Sequence, residues 1–204
     1  MTSSNPGRPG RPLAVITGGS SGIGAAFARR VAADHDVVLV ARRPDRLASV
    51  RDELARDHPD GRFDTVTADL STSDGTGAVV ERLARGGVDL LVNNAGAGYH
   101  GRFVDEPSDR IAAEVALDCV AVALLTRAAL PSMVAAGHGA VVNISSTAAF
   151  QPVATMAVYG AAKAFVLSLS EALHVETRDT GVTILPCAPV VPTPDSSTPL
   201  VRSS

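Results

Sequence analysis

Six short apolar runs, separated by longer segments of helical pattern, constrain this fold more than any other feature of the sequence. They are LAVIT (13–17), VVLVA (37–41), FDTVTA (63–68), VDLLVN (88–93), AVVNIS (140–145) and VTIL (182–185). Most are continuous rather than alternating, as expected for strands buried on both faces of a parallel sheet. The segments between them, such as PDRLASVRDELARD (44–57) and the stretch of about 107–137, read as helices. Strand–helix alternation predicts an α/β fold with a doubly wound, mostly parallel sheet and right-handed crossovers.

A chain of 204 residues with 46% hydrophobic content suits one domain with an ample core. Its divisions read as a flexible arm at 1–11, an α/β domain at 12–187 and a Pro/Ser-rich irregular tail at 188–204. A net charge of -3 without a long basic block argues against nucleic acid as a partner. Cys119 and Cys187 stand far apart in apolar surroundings, which points to no disulfide framework, no metal and a reducing cytoplasm. The opening MTSSNPGRPGRP has no apolar core of a signal peptide, and no uninterrupted apolar run of about 18 residues marks a membrane span. The expectation is a soluble cytoplasmic protein with no membrane partner.

Between the first strand and the first helix stands TGGSSGIG, Thr17 to Gly24, with glycines at 18, 22 and 24 in addition to Gly19. At such a junction backbone N–H groups and the positive end of a helix converge, which favours a phosphate. A glycine-rich turn with no ligand is the alternative, and the spacing TGxxxGxG is not the GxGxxG fingerprint. Further motifs therefore matter. Asp69-Leu70 follows the third run, and Asn93-Asn94-Ala95-Gly96 follows the fourth, at the sheet edge where ligands of open α/β folds collect. Tyr159 and Lys163 share one helical face at i, i+4, and Ser146 lies 13 residues before Tyr159.

With TGxxxGxG, NNAG, a strand-end Ser and YxxxK in that order, residues 12–187 resemble the short-chain dehydrogenase/reductase family. The resemblance implies a Rossmann-like sheet in the order 3-2-1-4-5-6. It implies a cofactor site in which Gly18, Ser20, Ser21, Gly22, Ile23 and Gly24 line the pyrophosphate and adenosine side. Asp69 and Leu70 would flank the adenine, with Asn93, Ala95 and Gly96 near the adenosine ribose. Tyr159, Lys163 and Pro189 would serve the nicotinamide half.

Hydride transfer to a carbonyl leaves charge on oxygen, which needs a proton. An ordinary tyrosine ionises near pH 10, a poor match to neutral conditions, and a neighbouring ammonium favours the phenolate. Tyr159 is therefore the expected acid and base, tuned by Lys163, with Ser146 donating to the carbonyl oxygen. Taken singly, YxxxK also arises as a surface-to-core pair, and Ser145 and Ser146 as loop caps. The second strand ends Ala41-Arg42-Arg43 where NAD-preferring relatives carry an acid. Arginine suits a phosphate by charge and bidentate geometry. If Arg42 and Arg43 are not merely solvated helix flanks, NADP(H) is the expected cofactor, ahead of NAD(H).

Three departures from the family stand out. Asp118 occupies the place of an asparagine on the helix before the active site; an ionised Asp only accepts, and it could pair with Lys163 and weaken its pull on Tyr159. Pro189-Val190 replaces Pro-Gly after the sixth strand. Relatives continue with a substrate lid and a seventh strand, so a fold lacking both, with an open site, is expected. The function expected is NADP(H)-dependent reduction of a small-molecule carbonyl, or oxidation of an alcohol. A cofactor-binding protein with impaired or no redox catalysis and a non-redox lyase or isomerase stand as alternatives. Wide apolar faces at about 107–137 and 154–177 point to a homodimer, with a tetramer as the alternative. Tyr99, His100 and Phe103 are candidates for the substrate side.

Overall fold

A computed structural model describes residues 10–189. Most of the expected arm and tail, and Val190, lie outside the described residues. The strands are β1 (Leu13–Thr17), β2 (Asp36–Ala41), β3 (Phe63–Thr67), β4 (Leu90–Asn93), β5 (Gly139–Ile144) and β6 (Val182–Cys187). They form one six-stranded sheet in the order β3-β2-β1-β4-β5-β6, parallel throughout. The expected order and fold class are therefore those observed.

Successive strand residues face opposite layers. Ala14 and Ile16 pack with Ala25 and Ala28 of α1 (Gly22–Val31) and with Leu47 and Leu54 of α2 (Pro44–Asp57). Val15, between them, packs with Val79 and Leu83 of α3 (Ser73–Ala84) and with Leu125 and Met133 of α5 (Val122–Ala136). Burying each such Leu, Ile or Val contributes roughly 1.5–3 kcal/mol. That is why the runs are apolar without alternation. The sequence changes direction between β1 and β4, and their carboxyl ends leave a crevice at this switch point.

The stretch read as helical at about 107–137 is one continuous helix of 29 residues, Ser108–Ala136. It comprises α4 (Ser108–Val115), a π-helical turn (Ala116–Ala121) and α5. By length and composition it is apolar enough to cross a membrane; here it lies on the sheet, with Leu125, Ala129 and Met133 buried. The remaining helix, α6 (Ala157–Glu176), starts three residues later than read from its pattern at 154, because Thr155 takes a left-handed conformation (φ 66°).

Candidate active site

The crevice is tied together by Thr17 at the end of β1. Its hydroxyl accepts from the amides of Asn94 (2.9 Å) and Ala95 (3.0 Å) and donates to the carbonyl of Val92 (3.3 Å). The Asn94 amide nitrogen returns a bond to the Thr17 carbonyl at 2.9 Å. This side chain explains two of the glycines. A Cβ at Gly18, which has φ 67°, would stand 2.5 Å from Asn94 Nδ2, and one at Gly24 would strike both Asn94 Nδ2 and the Gly18 carbonyl. What comes close to the backbone at these two positions is the protein's own asparagine. Gly22 differs: it has φ 55°, and a Cβ there would meet open space.

Two clefts meet at Asn94 and Gly96. The first, of about 570 Å³, is lined by Gly18, Ser20, Ser21, Arg42, Arg43, Asp69, Leu70 and Ala95. The second, of about 250 Å³, is lined by Ile23, Ser145, Ser146, Tyr159, Lys163 and Pro189. Gly24 is buried behind the first cleft. Asn93 requires a correction: it lines neither cleft. Its Nδ2 donates to Thr126 Oγ1 (3.0 Å) and Asn143 Oδ1 (2.8 Å) inside the fold. The strand's alternation sends Asn93 inward and leaves Asn94 to face the crevice, an assignment that the NNAG pattern alone does not make. Leu117, absent from the expected set, also lines the first cleft; nothing in its sequence context signals this.

The first cleft fits a phosphorylated dinucleotide. Helix α1 begins at its wall, and Ser21 makes no side-chain cap, leaving first-turn amides to a ligand. Arg42 is 70% exposed and lies 3.9 Å from Asp69. The Asp69 carboxylate is held below its ordinary range, first by bonds from the Ser71 hydroxyl (2.7 Å) and amide (3.0 Å) and then, after an opposing effect of burial, by Arg42. The C-terminal end of β2 is Ala41, with no acidic residue next to the arginines in the chain.

In the second cleft, Lys163 Nζ lies 5.5 Å from the centre of the Tyr159 ring. The ammonium donates to Asp118 Oδ1 at 2.7 Å and to the Ile144 carbonyl at 3.3 Å. Asp118 Oδ2 accepts from the amide of Ala97 at 3.0 Å, so both carboxylate oxygens are used. Asp118 lies in the π-helical turn, where the widened helix carries it against Lys163. A Cβ at Gly96 would stand 2.6 Å from Asp118 Oδ1 and 3.1 Å from Lys163 Nζ. The two adjacent serines also separate. Ser145 donates to the Lys163 carbonyl at 2.9 Å and is buried. Ser146 accepts from the Ala148 amide at 3.2 Å, keeping its hydroxyl proton available to the cleft.

The family model for short chain dehydrogenases matches residues 12–201. The chain belongs to the short chain dehydrogenase family. It is 39% identical over 174 residues to a short chain dehydrogenase of Pseudocercospora fijiensis, covering 83% of this chain and 56% of that protein. This family member thus spans little more than half the length of the curated relatives it matches. Its fold is similar to a bulky-bulky ketone specific alcohol dehydrogenase of Comamonas testosteroni, with TM-score 0.83 and 37% identity over 86% of this chain and 71% of that one. It is equally similar to a short-chain dehydrogenase of Sphingobium yanoikuyae in complex with NADPH, with TM-score 0.83 and 38% identity over 86% and 69% of the two chains.

Proposed function

We propose that this short chain dehydrogenase is an NADP(H)-dependent oxidoreductase that reduces a small-molecule carbonyl or oxidises the corresponding alcohol. The observation that carries this reading is the junction at Asn94 and Gly96. There a glycine- and arginine-lined cleft opens into one that holds Ser146, Tyr159 and Lys163. Two similar solved structures, the Sphingobium protein and a metagenomic oxidoreductase, are complexes with NADPH and NADP, which supports the choice of cofactor.

When bound, the nicotinamide supplies or takes the hydride. Tyr159 gives its phenolic proton to the carbonyl oxygen in reduction and takes it back in oxidation. Lys163 holds its positive charge 5.5 Å from the centre of the tyrosine ring, where it stabilises the negative charge left on the phenol oxygen as the proton leaves. Ser146 donates to the same oxygen, where negative charge grows. Arg42 and Arg43 would hold the 2′-phosphate, and the first-turn amides of α1 would hold the pyrophosphate. Asp118 fixes Lys163 from behind and offsets part of its charge. No observation favours the non-redox alternatives.

A homodimer is part of the proposal. Val115, Val120 and Leu124 on the long helix and Phe165 on α6 are exposed large apolar side chains, and α4 and α6 are in contact. Exposed apolar side chains of this kind are able to meet their own copies across a two-fold axis.

Titration with NADPH and NADH, followed by the fluorescence of the reduced nicotinamide and by calorimetry, tests the cofactor assignment. Preference for NADPH is expected. Equal affinity for the two, or no binding by folded protein, would contradict it.

A further inference from the structure

The loop after β4 has two sides, and only one of them faces the catalytic cleft. Ala97 and Gly98 line that cleft and also a separate cavity of about 370 Å³, whose walls include Arg42, Tyr99, Arg110 and Glu114. A Cβ at Gly98 would stand 2.8 Å from Cδ2 of Tyr159, so the loop runs directly against the ring of the proton donor. Arg42 lines both this cavity and the first cleft. The cavity therefore adjoins both halves of the site, and the hydride transfer itself does not use it.

Arg110, in the first turn of α4, is held in place without a counter-ion. Its guanidinium lies 5.0 Å from the centre of the Tyr99 ring. Stacking of this kind fixes the planar group and leaves the N–H fork at its edge to a ligand. Tyr99 is itself wedged: a Cβ at Gly101 would stand 2.6 Å from its ring, and the Gly101 amide donates to the Thr155 carbonyl at 2.9 Å. Glu106 and Glu114 stand at i−4 and i+4 from Arg110. Even so, among the described residues no carboxylate comes within ion-pair distance of it.

The charge of the cavity favours an anion. Arg42 brings a second guanidinium to it, 3.9 Å from Asp69. The carboxyl group on its wall, Glu114, is only 4% exposed, and burial pushes it above its ordinary range. Glu114 therefore sets less negative charge against an incoming anion than an exposed glutamate would.

We propose that Arg110 is a specificity-determining residue that binds an anionic group, a carboxylate or a phosphate, carried by the substrate at a distance from its carbonyl. The proposal rests on the oxidoreductase reading above. The carbonyl lies at Ser146 and Tyr159, and the anion lies in the neighbouring cavity, paired with the stacked guanidinium. The two spaces share the backbone of Ala97 and Gly98, so a chain lying over this backbone joins them. The phosphates of the cofactor are assigned to α1, Arg42 and Arg43, which leaves Arg110 to the substrate.

Two readouts test this. Keto acids of increasing chain length, each paired with its methyl ester, are compared as substrates with NADPH. The acid is expected to be preferred in kcat/KM at the length that spans the two spaces, and added salt is expected to weaken the preference. Arg110→Met keeps an apolar stem over Tyr99 and is expected to cut the preference about fivefold, as for the loss of an exposed ion pair. The loss falls on the KM of the acid rather than on kcat, and Arg110→Lys restores part of it. Acid and ester used equally at every length, or a preference that Arg110→Met leaves intact, overturns the proposal.

The second readout needs no turnover. The ¹⁵N signal of Arg110 Nε, identified by its loss in Arg110→Met, is followed by NMR with and without NADP⁺ while a keto acid, its ester or inorganic phosphate is added. The signal is expected to move with the acid and not with the ester. A signal that moves with phosphate alone marks a site for a free anion and overturns the assignment to a substrate group. One that moves with none of the three overturns the site itself. If no carbonyl is turned over, the oxidoreductase reading falls, and the NMR titration still decides the anion site.

Discussion

Lys163 Nζ and Asp118 Oδ1 lie 2.7 Å apart, with side-chain exposures of 6% and 0%. An ion pair this deep binds two elements, the long helix and α6, beside the Tyr159 ring. It also gives the cation an anion to share. Removing one partner of such a pair leaves the other charge buried and unmatched.

Asp118→Asn is therefore expected to act on stability and activity in opposite directions. Loss of the anion destabilises the fold by about 3 kcal/mol, at the lower end of what breaking a buried pair costs, because the Asn carbonyl oxygen can still accept from Lys163. Turnover near neutral pH rises, since the Lys163 ammonium then acts undivided on the charge that develops on the Tyr159 oxygen during proton transfer. Urea denaturation and steady-state rates check both. Unchanged or lower turnover in folded protein would show that Asp118 does not restrain Lys163.

Gly96→Ala should damage the same pair from the other side. The added methyl would come 2.6 Å from Asp118 Oδ1 and 3.1 Å from Lys163 Nζ, and neither group has space to retreat. Overpacking of this kind costs about 1–3 kcal/mol. Thermal denaturation of the variant indistinguishable from the wild type would contradict the packing described.

Arg42→Ala separates the two nicotinamide cofactors. A hydrogen bond to a charged group contributes about 1.5–3 kcal/mol, so NADPH affinity should fall roughly tenfold or more, while NADH affinity stays nearly constant. Calorimetry at one fixed salt concentration measures both. Equal losses for the two cofactors would mean that Arg42 does not read the 2′-phosphate.

Glu114 gives the stability a pH dependence with a definite sign. Its carboxyl is raised in the folded protein, so the folded state holds a proton that the unfolded chain releases near pH 4.3, the ordinary glutamate value. The stabilising contribution is full below that pH and is lost as pH rises through the folded value. Glu114→Gln should accordingly gain stability relative to wild type between pH 4 and neutrality. Urea denaturation at the two ends of that range measures the difference; a gap that does not change with pH would contradict the assignment.

The architecture was legible because apolar strands between helical segments leave few arrangements, and PDRLASVRDELARD spans the same residues as α2. The meeting of Asp118, Lys163 and Tyr159 was legible, because their spacing puts them within reach of one another. Neighbouring residues of one type were harder. Asn93 and Asn94 are chemically identical, and only the pleat of β4 decides which one faces the crevice. Glu114 was not visible at all. In SDRIAAEVALD it stands as one charge among several, and it lines a cavity with Tyr99 and Arg42, which lie far from it in the sequence. The glycines of TGGSSGIG were legible as a close approach, but the approaching group at Gly18 and Gly24 is Asn94, which lies far along the sequence.

The most direct measurement is the consumption of NADPH by purified protein with a panel of small aldehydes and ketones, wild type against Tyr159→Phe. Stoichiometric oxidation of NADPH, falling about a hundredfold or more in the variant as expected for loss of a general acid, is the result expected. NADPH binding without turnover of any carbonyl, or equal turnover in Tyr159→Phe, would contradict the assignment of Tyr159 as the proton donor of an NADP(H)-dependent reductase.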